Sequence, residues 1–147
     1  MKTRVNVKLD QYESFLDSII GYDLLFDLGN DLVSFYKKQM RKGLDINNDE
    51  YKPLKATYEG KPYRQKKGYK QYDAKVLIDS GKMWGGIRFQ IDGNQLSIID
   101  DMEYSSYHNY GNPDRNTPQR QFIGNSDEVD KVIKESVNIS INKKLKF

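Results

Sequence analysis

Apolar residues recur at helical spacing over much of the first third of the chain. From Tyr22 to Met40 they fall three and four positions apart, which places them on one face of an α-helix about five turns long. The same period is present in residues 10–20. Gly43 is a good stop for this helix, because glycine readily adopts the left-handed conformation that ends helices. Gly29 lies on the apolar face and predicts the close approach of another element.

Two stretches alternate with the period of two that is typical of half-buried strands. One is the short stretch Thr3–Leu9, and the other is Ile87–Asp100. The second contains Asp92-Gly93-Asn94 at its middle, which is turn chemistry for a β-hairpin. We therefore predict an antiparallel hairpin there, with the N-terminal strand available to join the same sheet.

The C-terminal quarter predicts a second amphipathic helix. Asn125 is a suitable N-cap, and Glu128 three residues later completes the pattern of a capping box. The apolar stripe supports a helix to about Ser136, whereas residues 137–143 fit either a helix or a strand. A further short helix is predicted from Asp73 to Gly81. Together the patterns predict an α+β fold, in which a long N-terminal helix and a C-terminal helix pack on a small, mainly antiparallel sheet.

Length and composition favour a single domain, residues 1–147, with a long irregular loop at about 43–73. The chain has 147 residues, no cysteine and a net charge of +3. It therefore offers no disulfide and no thiolate chemistry, and its charge alone does not predict nucleic-acid binding. No segment has the apolar length of a signal peptide or a membrane span, so we expect no membrane association.

Part of the irregular loop interleaves cations with tyrosines. Such a pattern can follow a phosphate backbone and stack on bases, and it is also the pattern of a solvated arm that orders on a partner. A nucleic-acid-binding module is therefore the alternative function. The candidate contacts in this segment, residues 61–75, are Lys61, Arg64, Lys66, Lys67, Tyr69 and Lys70.

The residue inventory argues against an enzyme. His108 is the only histidine, and the chain contains no nucleophile elbow, phosphate-binding loop or zinc-binding helix motif. The acidic residues Asp100, Asp101 and Glu103 are interpreted as a solvated strand end instead of a metal site. We predict no catalytic residue, no metal ligand and no cofactor.

The stretch Tyr104–Gly124 combines aromatic rings, prolines and glycines in a way that favours a rigid, shaped loop. Pro113 and Pro118 fix φ, and Gly111 and Gly124 are the places where a positive φ is expected. A short helix is predicted from Glu103 to Tyr110. We expect His108 to bond a backbone carbonyl across the following loop, and Arg120 to have a structural or interface role. The interface candidates are Tyr104, Tyr107, His108, Tyr110, Pro118, Arg120 and Phe122.

Several short motifs in this chain resemble the phage virion-morphogenesis family of tail-completion proteins, found in Mu-like phages and prophages. YSSYHNYG is similar to the family's Tyr-Ala-x-x-His-Gln-x-Gly segment, with Asn109 where glutamine is usual. TPQRQFIG is similar to its Ile-Pro-x-Arg-x-Phe-Leu-Gly segment. LIDSGKMWGGI and YKPLKATY resemble two upstream elements, although Tyr51 replaces the family's tryptophan. The resemblance extends from about Asp10 to about Ser136.

The resemblance implies a structural protein that completes a phage tail or the head–tail neck. It would be a monomer in solution and form a homo-oligomeric ring in the virion, in contact with other tail or neck proteins around a DNA channel. Direct binding of that DNA is left open. The expected location is the virion, and the host bacterial cytoplasm during assembly.

Overall fold

The computed structural model describes residues 2–7, 21–52, 76–78 and 80–145. Several predictions concern other parts of the chain and lie outside the described residues. These are the helical period at 10–20, the basic segment at 61–75 and the greater part of the irregular loop at 43–73.

A three-stranded antiparallel sheet lies at the centre of the described fold. Its strands are β1 (Thr3–Asn6), β2 (Ile87–Asp92) and β3 (Gln95–Asp100), in the order β1-β3-β2. The predicted hairpin is confirmed, with Gly93 at a φ of 57° in the turn between β2 and β3. The N-terminal strand pairs along the other side of β3, so that Thr3 and Ile87 are both register partners of Asp100.

The long N-terminal helix, α1, spans Tyr22–Lys42 and contacts both the sheet and the C-terminal helix. It ends as expected at Gly43, whose φ of 77° is left-handed and whose N–H donates to the carbonyl of Met40. The close approach predicted at Gly29 is also present. A Cβ atom at that position would lie 2.6 Å from the ring of Phe89 on β2, so a side chain would collide with the sheet.

The prediction of a short helix from Asp73 to Gly81 is wrong for the residues that the structure describes. Val76 and Leu77 form a turn instead. Leu77 has a φ of 65°, in the left-handed region that a right-handed helix cannot continue through. The helix in this part of the chain is α2, Lys82–Gly86, and Gly81 precedes it as its N-cap residue.

The structure resolves the ambiguity at residues 137–143, because the C-terminal helix α4 runs from Asp127 to Leu145. Its buried residues recur at helical spacing through the ambiguous region, whereas Ile139 is 47% exposed. The N-cap differs from the prediction: Ser126 Oγ accepts a hydrogen bond from Val129 N, 3.2 Å away. Asn125 lies one position before the cap.

The helices α1, α2 and α4 and the sheet share one hydrophobic core, and the predicted α+β class is confirmed. Four α-helices are described: α1, α2, α4 and the short α3 (Ser105–Tyr110), which is followed by a single 3₁₀ turn at Pro113–Arg115. The core joins the inner faces of α1 and α4 to β2 and β3. Its largest fully buried side chains are Tyr36, Phe122, Leu24, Leu25, Leu28, Leu32, Met40, Ile46, Ile87, Leu96 and Ile98.

Candidate functional site

The segment from Tyr104 to Gly124, which we call the elbow segment, folds into a closed loop after α3. Asn112 and Thr117 exchange two backbone hydrogen bonds, each 2.9 Å long. The side chain of Asn112 accepts a further bond from Arg115 N, and Asn116 turns the chain with a φ of 52°. These bonds fix a tight loop whose two ends lie side by side.

Asn109 ties this loop to the rest of the fold. Its side chain is fully buried, and its Oδ1 accepts hydrogen bonds from the backbone N–H groups of Phe122 (3.0 Å) and Ile123 (3.1 Å). Its backbone carbonyl accepts a bond from the side chain of Gln119. One amide side chain therefore holds α3 against the C-terminal end of the elbow segment.

The two halves of the elbow segment approach each other too closely for a side chain at Gly111. This residue has a φ of 78°, as expected, and a Cβ atom there would lie 3.0 Å from the backbone nitrogen of Gln119. The next residue, Arg120, donates its N–H to the carbonyl of His108 at 2.7 Å. Backbone contact, and not only side-chain packing, thus sets the shape of the segment.

Two interface candidates are buried within the fold. Phe122 is 1% exposed and belongs to the hydrophobic core, and Arg120 is 6% exposed. Arg120 Nε donates to the backbone carbonyl of Lys52, 2.7 Å away, and burial lowers the pKa of its guanidinium. Both side chains therefore have structural roles here, which is one of the two roles expected for Arg120 and replaces the expectation that Phe122 lies at an interface.

His108 also differs from its expected role. It was expected to bond a carbonyl across the loop through its ring, but its Nδ1 is buried and has no hydrogen-bond partner among the described residues. Its backbone carbonyl makes the cross-loop contact instead. Burial, and then the nearby charge of Arg120, lower the pKa of the imidazole. The ring is therefore neutral at pH 7, and it packs edge-on against Tyr104 with ring centroids 6.3 Å apart.

The remaining candidates form the accessible face of the elbow segment. Tyr104 is 42% exposed and Tyr110 is 55% exposed. Tyr107 is half-buried beneath the guanidinium of Arg115, which lies 4.8 Å from its ring centroid. Pro118 is half-buried and borders a shallow cleft of about 290 Å³. The cleft is lined by Tyr110, Gly111, Asn112, Pro113, Asn116, Thr117, Pro118 and Gln119.

The acidic residues before α3 are not a uniformly solvated strand end. Asp100 is fully buried, and only its Oδ1 is hydrogen-bonded, to Met102 N at 2.8 Å. Burial, opposed by that bond and aided by the charge of Asp101, raises the pKa of Asp100 to about 6. At the surface, Asp101 pairs with Arg88 through two contacts of 2.5 and 3.0 Å, which lower the pKa of Asp101. In the described part of the chain, no three acidic or histidine side chains come together as a metal site.

No family model, curated protein or solved structure matches this chain. The resemblance to tail-completion proteins therefore stays a prediction. None of the helices in the described ranges is long and apolar enough to cross a bilayer.

Sequence reasoning missed the central role of Asn109. The available signal was an amide residue, within an aromatic helix, that preceded a proline- and glycine-containing turn. A short polar side chain in that setting can accept bonds from the returning backbone. Its burial, however, depends on where Phe122 and Ile123 return, which the local pattern does not specify.

Proposed function

We propose that this protein is a non-enzymatic assembly protein that works through protein–protein contacts on the accessible face of the elbow segment. The observation that carries the proposal is the pair of exposed tyrosines, Tyr104 and Tyr110, beside a cleft with two prolines in its wall. Exposed aromatic rings next to a pocket are typical anchors of protein interfaces.

The rigidity of the support favours this use. Association costs less conformational entropy when the contacting groups are already fixed, and tyrosine has few rotatable bonds. Here the bonds of Asn109, the Asn112–Thr117 pair and the burial of Phe122 hold the backbone that carries both rings. A preformed surface of this kind suits an assembly that proceeds by docking finished parts.

The class of assembly rests on the motif resemblance described above. We propose a tail-completion or head–tail neck protein of a tailed phage or prophage, which forms a homo-oligomeric ring in the virion and contacts other tail or neck proteins. It would be made in the host bacterial cytoplasm and retained in the virion. Genes for head-connector and tail-tube proteins are expected beside its own gene.

The double variant Tyr104→Ala/Tyr110→Ala tests the proposal in the phage or prophage that carries the gene. Both side chains are exposed, so the variant is expected to fold. If the two rings are anchors, their removal leaves heads and tails unjoined, because exposed aromatic anchors each contribute more than about 1 kcal/mol to binding. Electron microscopy of induced lysates counts joined and unjoined particles.

Tyr22→Ala is the matched control, because Tyr22 is also an exposed tyrosine, at 65%, and lies outside the elbow segment. It should leave the yield of joined particles unchanged. Normal joining by the double variant, with circular dichroism showing a folded protein, would remove the interface assignment. An assembly defect shared equally by Tyr22→Ala would also contradict it.

A further inference from the structure

A second surface lies at the C-terminal half of α1, away from the elbow segment in sequence, and carries a cluster of positive charge. Four cations occupy it: Lys37, Lys38, Arg41 and Lys42. Lys38, Arg41 and Lys42 are exposed and Lys37 is half-buried. We call these four residues, together with Trp84, the basic surface.

Trp84 organises two of these cations. Its Nε1 donates to the backbone carbonyl of Lys37 at 3.0 Å, which fixes the indole against the helix. The Lys37 ammonium and the Arg41 guanidinium then lie over the ring, 5.0 and 4.9 Å from its centroid. These are cation–π distances, and such contacts hold a side chain in place without using its N–H donors. The two charges are thus positioned, while neither side chain donates a hydrogen bond to another residue in the described ranges.

None of the four cations makes a side-chain hydrogen bond or ion pair with another residue in the part of the chain that the structure describes. The helix offers none, since the positions three and four residues before each of them are Val33, Ser34, Phe35, Gln39 or another cation. The nearest following carboxylate, Asp45, lies beyond Gly43 and accepts bonds from the backbone of Asn47 and Asp49.

Helix stability alone does not account for this arrangement. The favourable interaction of cations with the helix dipole is confined to the last turn, which holds Arg41 and Lys42. Lys37 and Lys38 lie one turn earlier. There, the pairs Lys37–Arg41 and Lys38–Lys42 are like charges at a spacing of four, which destabilise a helix by about 0.2–0.5 kcal/mol each. Four neighbouring cations, two pairs of which repel each other and none of which makes an ion pair with another described residue, indicate a binding surface for an anion.

We propose that the basic surface binds the phosphate backbone of nucleic acid, without reading its sequence. The cations form two adjacent rows on the helix, Lys37–Arg41 and Lys38–Lys42, and the two members of each row lie about one turn apart. Such rows suit the successive phosphates of a nucleic-acid backbone. Because the ring of Trp84 is occupied by Lys37 and Arg41, it is not offered for base stacking, and the contact would be electrostatic. This inference is independent of the proposed assembly function and of the basic segment at 61–75.

The chain contains a single tryptophan, so Trp84 fluorescence reports directly on this surface. The probe is a fluorescein-labelled DNA duplex of about 20 base pairs, titrated at several salt concentrations between about 50 and 200 mM. We expect the duplex to change the Trp84 emission and its affinity to fall linearly on a log–log plot against salt. Each phosphate contact contributes a slope of about −0.9.

The test variant is Lys37→Gln/Arg41→Gln, which keeps long side chains and helix propensity. It should weaken duplex binding roughly tenfold or more at the lowest salt and make the slope less steep by about two. Lys38→Gln/Lys42→Gln should act similarly. The matched control is Lys134→Gln/Lys143→Gln, which removes the same charge from exposed positions of α4 and should leave the slope unchanged.

Three results would overturn the proposal. The first is wild-type affinity and slope in both test variants. The second is loss of binding in Lys66→Gln/Lys67→Gln but not in the test variants, which would place binding in the 61–75 segment. The third is tighter binding of a polyglutamate peptide than of the duplex, which would indicate an acidic protein partner. These experiments measure duplex binding and not the joining of heads and tails. Failure of the assembly proposal would therefore leave the binding result unaffected.

Discussion

At the scale of single residues, two fully buried polar side chains differ in charge and in the number of hydrogen bonds that they accept. Asn109 Oδ1 accepts two backbone hydrogen bonds and holds the elbow segment to α3. Asp100 accepts one bond, from Met102 N, while its second oxygen is buried without a partner among the described residues. A buried carboxylate with one bond is costly in its charged form. Asn109 Nδ2 is also buried without a partner among the described residues, but Asn109 is neutral. Only Asp100 carries this cost as a charge, which opposes folding at neutral pH.

Asp100 should make the stability of the protein depend on pH in a defined direction. Burial raises its folded-state pKa to about 6, from an ordinary value of 3.8. Between these values the folded state binds more protons than the unfolded state, so the free energy of unfolding falls as pH rises from about 4 to about 6. The free energy of unfolding of Asp100→Asn, relative to that of wild type, should rise by up to about 3 kcal/mol between pH 4 and pH 7. Urea denaturation across that range measures the difference.

Asp101→Asn is the control for this experiment, and its effect should have the opposite sign. Arg88 lowers the pKa of Asp101, so the stability contributed by Asp101 is present above the ordinary carboxylate pKa and is lost as pH falls. The free energy of unfolding of Asp101→Asn, relative to that of wild type, should therefore fall as pH rises. A constant difference between Asp100→Asn and wild type over the whole range would show that the buried carboxylate is not the titrating group.

At the scale of elements, helix periods were readable from the sequence, but helix ends less so. The stop of α1 at Gly43 follows from local chemistry, because glycine adopts its left-handed conformation without strain. The start of α4 does not follow from local chemistry, because Asn125 and Ser126 are both good N-cap residues. Ser126 is the cap in the structure, and its Oγ also donates to the carbonyl of Ile46 at 2.6 Å. That second partner is 80 residues away in sequence, beyond the reach of any local pattern.

Adjacent alanine substitutions distinguish the two candidate caps. Ser126→Ala removes the cap to Val129 and the bond to Ile46, and should lower the free energy of unfolding by about 1–2 kcal/mol. Asn125→Ala loses one long hydrogen bond, 3.5 Å, at an exposed position. It should lower the free energy of unfolding by less than about 0.5 kcal/mol. Denaturant unfolding of both variants measures the contrast. Equal costs, or a greater cost at Asn125, would mean that α4 begins one residue earlier.

The candidate site shows the same limit of local patterns. Gly111 and the two prolines predicted a shaped loop because their backbone preferences are intrinsic. The exposure of each side chain was not predictable, because it depends on distant parts of the chain. Arg120 is buried because Lys52 supplies a carbonyl to it, and Phe122 because the core of α1 and α4 receives it. Tyr104 and Tyr110 could therefore be separated from the buried interface candidates only by the exposure of each side chain in the folded structure.

At the scale of the whole molecule, the fold depends on how closely α1 lies on the sheet. Gly29 allows the ring of Phe89 to rest against the helix backbone, and that ring also packs edge-on against Phe26, with centroids 5.5 Å apart. Helix and sheet could separate only by losing this contact. The packing of these two layers, more than the helix propensity of α1, should therefore decide the effect of a substitution at Gly29.

Gly29→Ala tests this claim because two physical effects have opposite signs. Helix propensity alone would stabilise the protein by about 1 kcal/mol, whereas a Cβ atom 2.6 Å from the Phe89 ring must displace the ring or the helix. We expect net destabilisation of about 1–3 kcal/mol.

Gly85→Ala is the control, since a Cβ atom there meets nothing within 4 Å. In a Phe89→Ala background the Gly29→Ala cost should vanish, and a double-mutant cycle by urea denaturation measures that coupling. If Gly29→Ala stabilised the wild-type background, or if its cost persisted without the ring, the layers would not be held at the spacing described.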